Sequence, residues 1–162
     1  MGVTATILHS LKIVKTLAAN VAGITTPDLI YDKLNTSKSL TSSTTPAVSN
    51  GTKQEIALSS GAKTIDLTSL TDANAGSITL NGLKPVCIQL ENPATNANNM
   101  TFAAGASNGF NFMGAGGTVV LSPGQSIEIY HHTGGATIGS GAKTIDVSGT
   151  GSQTFYFGIV AG

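Results

Sequence analysis

The sequence predicts an all-β protein: a single β-sandwich or jelly-roll-like domain of about eight or nine short strands, preceded by a short N-terminal helix and an extended arm. Two observations carry this prediction. Gly, Ser, Thr and Asn make up 69 of the 162 residues, which favours strands joined by turns over a helical bundle. From residue 54 onward, short apolar segments recur about every 10 residues, and turn signals separate them.

The helix is predicted in residues 1–22. Apolar residues recur there at intervals of three and four, as on one face of a helix, while Lys12 and Lys15 lie off that face. A strand that starts in residues 3–7 is the alternative. No apolar stretch approaches the ~20 residues that a membrane span needs, so we expect no membrane partner. The apolar face consists of Ile7, Leu8, Leu11, Val14, Leu17, Ala18 and Val21.

The arm is predicted in residues 32–54, which are polar and of low complexity. Residues 35–46 have the sequence NTSKSLTSSTTP, in which Leu40 is the one large apolar side chain. A segment with so little to bury is typical of a linker, or of an arm that becomes ordered against a partner. The chain therefore divides into residues 1–53, the helix and arm, and residues 54–162, the β-domain.

The strands of the β-domain are predicted from alternation of apolar and polar residues. Asn81-Gly82 is a two-residue hairpin signal, and Ser122-Pro123-Gly124 is typical of a type I or type II turn. The predicted strands include residues 63–67, 77–80, 86–90, 119–121, 127–129, 136–138, 144–147 and 154–160.

One heptapeptide occurs twice. Residues 60–66, SGAKTID, are repeated without change at residues 140–146. We expect each copy to form a turn followed by a strand, with its isoleucine inward. Two interpretations follow: Lys63, Asp66, Lys143 and Asp146 form paired contacts with neighbouring subunits, or the chain uses one turn-and-strand solution at two places in the sandwich. The second interpretation is the simpler and is favoured.

No constellation of side chains predicts catalysis, so we expect no enzyme activity, cofactor, metal site or small-molecule substrate. His131 and His132 are adjacent, and adjacent strand residues point to opposite faces. The single cysteine, Cys87, has no cationic neighbour in sequence and is predicted to be inert. The acidic residues are scattered, and no nucleophile elbow, phosphate-binding loop or dinucleotide fingerprint is present.

The charge composition argues against a nucleic-acid partner. Eight lysines balance eight acidic residues, and the chain has no arginine. Phosphate neutralisation by basic residues supplies most of the affinity in nucleic-acid binding, and a neutral chain lacks that contribution.

Four segments resemble small virion proteins of tailed bacteriophages, in particular the capsid decoration, or cement, proteins. These segments are residues 1–7 (MGVTATI), 83–90 (LKPVCIQL), 120–127 (VLSPGQSI) and 154–160 (TFYFGIV), and the resemblance covers mainly residues 55–162. It implies a β-sandwich or jelly-roll trimer that binds the major capsid protein on the outer surface of the virion and stabilises the joints between capsid subunits. It transfers no site residues.

The leading hypothesis is therefore a non-enzymatic capsid decoration protein that attaches through residues 1–50. A receptor- or carbohydrate-binding module is the alternative, with residues 92–99 and 105–117 as its loops and Phe110 and Phe112 as its aromatic residues. A secreted cell-surface β-protein is the second alternative. The residues predicted to bind partners are Ile7, Leu8, Leu11, Val14, Leu17, Leu40, Lys63, Asp66, Lys143 and Asp146.

Overall fold

The computed structural model describes residues 3–9, 13–16, 28–31, 36–72 and 75–162, and within these ranges every regular element is a β-strand. The all-β prediction is thereby confirmed. The strands are β1 (Ala5–His9), β2 (Ile13–Thr16), β3 (Asp28–Tyr31), β4 (Thr36–Leu40), β5 (Asn50–Ala57), β6 (Ala62–Asp66), β7 (Leu70–Thr71), β8 (Ser77–Ile78), β9 (Pro85–Glu91), β10 (Met100–Ala104), β11 (Thr118–Leu121), β12 (Ser126–Tyr130), β13 (Thr144–Ser148) and β14 (Thr154–Ala161).

Eight of these strands form two antiparallel four-stranded sheets. Sheet I has the order β12-β9-β14-β5, and sheet II has the order β11-β10-β13-β6. The two sheets share one apolar core, an arrangement compatible with a β-sandwich. Strands β7 and β8 pair only with each other among the described residues.

The core forms because alternate residues of each strand point to one face. Along β14, Phe155, Phe157, Ile159 and Ala161 are buried, and β10 of sheet II contributes Phe102. The rings of Phe102 and Phe155 meet edge to face, with their centroids 5.6 Å apart. Aromatic pairs prefer this geometry because the positive edge of one ring meets the negative face of the other.

The predicted N-terminal helix is wrong: β1 and β2 are strands, as the alternative for residues 3–7 anticipated. Thr6 and Ile7 in β1, with Ile13, Val14 and Thr16 in β2, are β-branched, and such side chains favour strands because they restrict χ1 against a helical turn. The apolar spacing of residues 1–22 fits a helix as well as strands, and pairing with β4 and β3 selects the strands.

The two strands within the predicted helix pair with β3 and β4, which follow it in the chain. β1 pairs with β4 (Ala5 opposite Leu40, His9 opposite Thr36), and β2 pairs with β3 (Ile13 opposite Tyr31). Both ladders are antiparallel, and their registers differ by one residue. Residues 5–9 therefore lie alongside residues 36–40, and residues 13–16 lie alongside residues 28–31. We call these two ladders together the ribbon, and the β1–β4 ladder its base.

The segment after the base is built around a turn. The Thr44 hydroxyl lies 2.9 Å from the Thr41 carbonyl oxygen and 2.8 Å from that of Pro46, and the Thr45–Pro46 peptide is cis. Leu40 and Val48 on either side are fully buried. This part of the predicted arm packs on the chain's own sheet through Leu40 and Val48, and its ordering against a partner stays a prediction. β5 begins at Asn50, so one strand runs across the predicted boundary at residue 54.

Two local predictions in the β-domain are also corrected. Residues 136–138 are not a strand, although Ile138 is fully buried. Asn81-Gly82 forms a turn, with the Leu83 N–H donating to the Leu80 carbonyl, but it does not join a hairpin, because β8 pairs with β7 and β9 pairs within sheet I.

The Pro-Gly turn is as expected. Gly124 has φ of 81° and the Gln125 N–H donates to the Ser122 carbonyl over 3.0 Å, which is a type II turn with proline and glycine at its two central positions. It connects β11 in sheet II to β12 in sheet I, so it links the two sheets.

Candidate partner-binding site

The base of the ribbon packs on the outer face of sheet I, where it forms a second apolar cluster separate from the main core. Ile7 and Leu40 from the ribbon contact the outward-facing side of β9 and β14. The buried members are Ile7, Leu40, Val48, Val86 and Cys87, and Val3, Ala5, Tyr130 and Val160 pack around them. This cluster fastens the N-terminal segment to the rest of the molecule.

Alternation along β1 gives the ribbon base two different faces. Ala5 and Ile7 point toward sheet I, and Ile7 is 5% exposed. Thr6 and Leu8 are exposed, and Leu8 has 62% of its surface accessible, the largest fraction among the large apolar side chains described. The base thus holds one apolar face against its own sheet and presents Leu8 away from it.

A groove of about 230 Å³ lies between β1 and sheet I. Its floor is a row of register partners across all four strands: Glu128 of β12, Gln89 of β9, Gly158 of β14 and Lys53 of β5. Gly158 contributes no side chain to this row, so the middle of the floor stays open. The floor of the groove thus has a negative charge at one end, Glu128, and a positive charge at the other, Lys53. Ile7 of β1 lies over this floor.

Cys87 lies in this groove beneath the ribbon base and is 8% exposed. Burial, reinforced by the negative charge of Glu128, raises the pKa of Cys87 to about 12. A thiol with so high a pKa is almost entirely protonated at neutral pH and is a poor nucleophile or metal ligand. Burial and the raised pKa favour an inert Cys87, which stays a prediction.

β4, the second strand of the base, contacts the edge of sheet I. The Lys38 ammonium lies 5.8 Å from the centre of the Tyr130 ring and donates to the Thr45 carbonyl over 3.1 Å. The Tyr130 and His132 rings meet edge to face at 6.3 Å. These contacts join β4 to the end of β12.

The two copies of the heptapeptide are neighbours in sheet II. β6 and β13 pair antiparallel with Ile65 opposite Ile145, so the identical sequences are related by a local two-fold axis. Both isoleucines are buried, as predicted. The second interpretation of the repeat also fits the hydrogen bonds of its turns, since Ser59 with Ala62 and Gly139 with Ala142 each close the same pair of backbone bonds.

The charged residues of the two copies are not equivalent. Lys143 forms an ion pair with Asp66, with 2.7 Å between Nζ and Oδ2, whereas Asp146 accepts hydrogen bonds from the Thr64 hydroxyl and the Ala106 N–H. Burial alone would raise the pKa of Asp66, but hydrogen bonds from Lys143 and Thr68 and the charge of Lys143 outweigh it, so the pKa lies below its ordinary value. The assignment of these residues to partner contacts stays a prediction.

The loops proposed for carbohydrate recognition are used internally. Phe110 and Phe112 are 1% and 3% exposed and belong to the main core. The buried Asn92 side chain donates to the carbonyls of Asn98 and Leu121 and accepts from Asn96. The aromatic residues on which the carbohydrate hypothesis depended are therefore not at the surface.

The structure brings together only some of the predicted partner-binding residues. Ile7 and Leu40 meet in the ribbon base, and Leu8 lies on its opposite side. Val14 is in β2, and Leu11 and Leu17 lie outside the described residues. The sequence reasoning missed Cys87 and Val160, which are apolar at outward-facing positions where a solvated sheet would carry polar residues.

Within the described ranges no group of three or more His, Cys, Asp and Glu side chains is arranged to hold a metal ion. No helix long and apolar enough to cross a membrane occurs among those residues. Comparison of the chain with protein families, with curated proteins and with solved structures finds no match.

Proposed function

We propose that the protein is a capsid decoration protein: a non-enzymatic virion component that binds the outer shell and stabilises the joints between subunits of the major capsid protein. The observation that carries the proposal is the ribbon base, a strand pair that packs on sheet I by one face and exposes Leu8 on the other. A strand pair held in this way offers a contact surface to a neighbouring protein while the body stays folded, and it needs no chemical step.

The exposed side of the ribbon base supports the same role. Leu8 is accessible next to the small hydroxyl residue Thr6, with no charged side chain in β1. A low-charge strand surface suits protein contact because little desolvation cost opposes its burial. The low charge of the whole chain, 10% of residues, and the resemblance of residues 55–162 to phage decoration proteins point the same way.

The experiment that tests this proposal removes the outer ribbon and keeps its base. Because His9 lies opposite Thr36, residues 10–35 are replaced by Asn-Gly, which closes a two-residue hairpin at that pair. Co-sedimentation with shells assembled from the major capsid protein of the same virus measures binding. We expect the full chain to bind and the shortened chain, folded by circular dichroism, to lose binding.

A point variant tests the base itself. Leu8→Glu is expected to weaken shell binding at least roughly tenfold, because it places a charge in the contact surface. Val120→Glu is the matched control, since Val120 is 56% exposed on sheet II, away from the ribbon. Equal binding by the full chain, the shortened chain and Leu8→Glu would contradict attachment through the ribbon, and failure of the full chain to bind shells would contradict the proposed function.

A further inference from the structure

One edge of β5 has no strand paired with it among the described residues. β5 is the last strand of sheet I, and in the part of the chain that the structure describes it pairs with β14 alone. It is eight residues long, one of the two longest strands in the molecule. An unpaired edge of this length offers a row of backbone donors and acceptors to another strand.

The register shows which groups face outward. The Leu58 N–H donates to the Gln153 carbonyl, so these residues are a hydrogen-bonded pair that continues the β5–β14 register. Hydrogen-bonded pairs alternate with other pairs in an antiparallel ladder, so the odd-numbered residues of β5 direct their N–H and C=O groups to the free edge. Gly51 fits this pattern, because its N–H is capped by Oδ1 of Asn50 rather than bonded to β14.

β7 lies against the inner face of β5. The Thr52 hydroxyl and the Gln54 amide both donate to the carbonyl of Thr71 in β7. A groove of about 540 Å³ lies between residues 54–57 of β5 and residues 63–66 of β6, with residues 69–71 along its side. Lys53, Glu55 and Ala57 are exposed along the edge.

The charges on this edge are self-complementary. Lys53 and Glu55 lie on either side of Gln54 and share the outer face of sheet I. If a second copy's β5 pairs antiparallel with a two-fold axis at Gln54, Lys53 of each copy lies directly opposite the partner's Glu55. The same register places outward-facing backbone groups opposite each other, so the backbone hydrogen bonds and both ion pairs form together.

We propose that two copies of the chain associate through their β5 edges, in antiparallel register about Gln54, and extend sheet I across a two-fold axis. This contact does not rest on the proposed function, because shell binding is assigned to the ribbon and the resemblance to decoration proteins implies a trimer rather than a dimer. An interface of one strand pair is small, and the dimer is expected to be concentration-dependent and weakened by salt.

Sedimentation velocity of the full chain over a range of concentrations tests the proposal. We expect a monomer–dimer equilibrium, and we expect Lys53→Glu or Glu55→Lys alone to lower the dimer association constant roughly tenfold or more, because each places like charges opposite each other twice. The double variant Lys53→Glu/Glu55→Lys recreates opposite charges and is expected to restore association to within about threefold of the original.

Lys84→Glu is the control, since it makes the same charge change in the segment before β9. A monomer at all concentrations, a trimer, or a dimer that the two single variants leave intact would overturn the proposal. So would a double variant that stays dissociated, because that result would indicate a different strand, such as β12, opposite β5.

Discussion

The ion pair between Lys143 and Asp66 is the contact that makes the two copies of the heptapeptide unequal. The two side chains are about one-third exposed, which places the pair near the surface, where such interactions are weak. Lys63 occupies the equivalent position in the other copy and forms no ion pair with an acidic residue within the described ranges.

Lys143→Met is therefore expected to lower the free energy of unfolding by up to about 1 kcal/mol at pH 7, and Lys63→Met by less. Because the folded-state pKa of Asp66 lies below its unfolded value, the stabilisation is present above the unfolded pKa and is lost as the pH falls through the folded pKa. Urea titrations at pH 7 and in strong acid measure this. A difference between wild type and Lys143→Met that stays constant into strong acid would exclude the pairing with Asp66.

The ribbon base is the element whose packing is most readily tested, because Cys87 lies beneath it. With a pKa of about 12, only about one thiol in ten thousand is ionised at pH 8, so labelling of the folded protein is expected to be slow. Detachment of the base would expose the thiol to solvent and reagent. The labelling rate therefore reports opening of this element.

Leu40→Ala removes a fully buried side chain from the base and is expected to cost about 2–5 kcal/mol of local packing free energy, with faster labelling of Cys87. Leu8→Ala, on the exposed side of the paired strand, is the control and should label like the wild type. Thiol-exchange kinetics at pH 8 in the absence of denaturant give both rates. An unchanged rate for Leu40→Ala would show that Cys87 becomes accessible by another route.

The element-level predictions succeeded where alternation of apolar residues decided the structure and failed where long-range pairing did. Alternation at 86–90 and 154–160 predicts β9 and β14. In the first 22 residues the apolar spacing is compatible with a helix, and only the β4 segment, far along the chain, makes β1 a strand. The apolar cluster beneath the ribbon base could be predicted only in part. Ile7 and Leu40 are apolar in sequence, but no local pattern reveals that Cys87 and Val160 lie beneath them.

At the scale of the whole molecule, β14 holds sheet I together. It lies between β9 and β5, pairs with both, and contributes Phe155, Phe157 and Ile159 to the core. Its pairing with β5 joins residues about 100 positions apart in sequence (Asn50 opposite Ala161). Contacts this distant in sequence make folding slow, because the entropy of closing long loops is lost before the contacts stabilise the chain.

Removal of residues 153–162 is therefore expected to abolish cooperative folding, since it splits sheet I and removes three large core side chains. Replacement of residues 10–35 by Asn-Gly deletes more of the chain but should leave the thermal transition of the body in place. Near-ultraviolet circular dichroism and thermal melts compare the two. A cooperative transition in the chain lacking 153–162 would refute the central role assigned to β14.

The pairing of two identical heptapeptides has a consequence for how the chain finds its native topology. β13 lies between β10 and β6. Two of its four pairs with β10, Ile145 opposite Ala104 and Asp146 opposite Ala103, lie within the repeat, so β6 could offer β10 the same two side chains. Discrimination between the correct strand order and the exchanged one depends on flanking positions, where Leu67 follows one copy and Val147 the other. Sheet II thus contains two strands with partly identical sequences. We expect refolding to populate an isomer in which β6 and β13 have exchanged places, and these strands must separate before the native sheet forms.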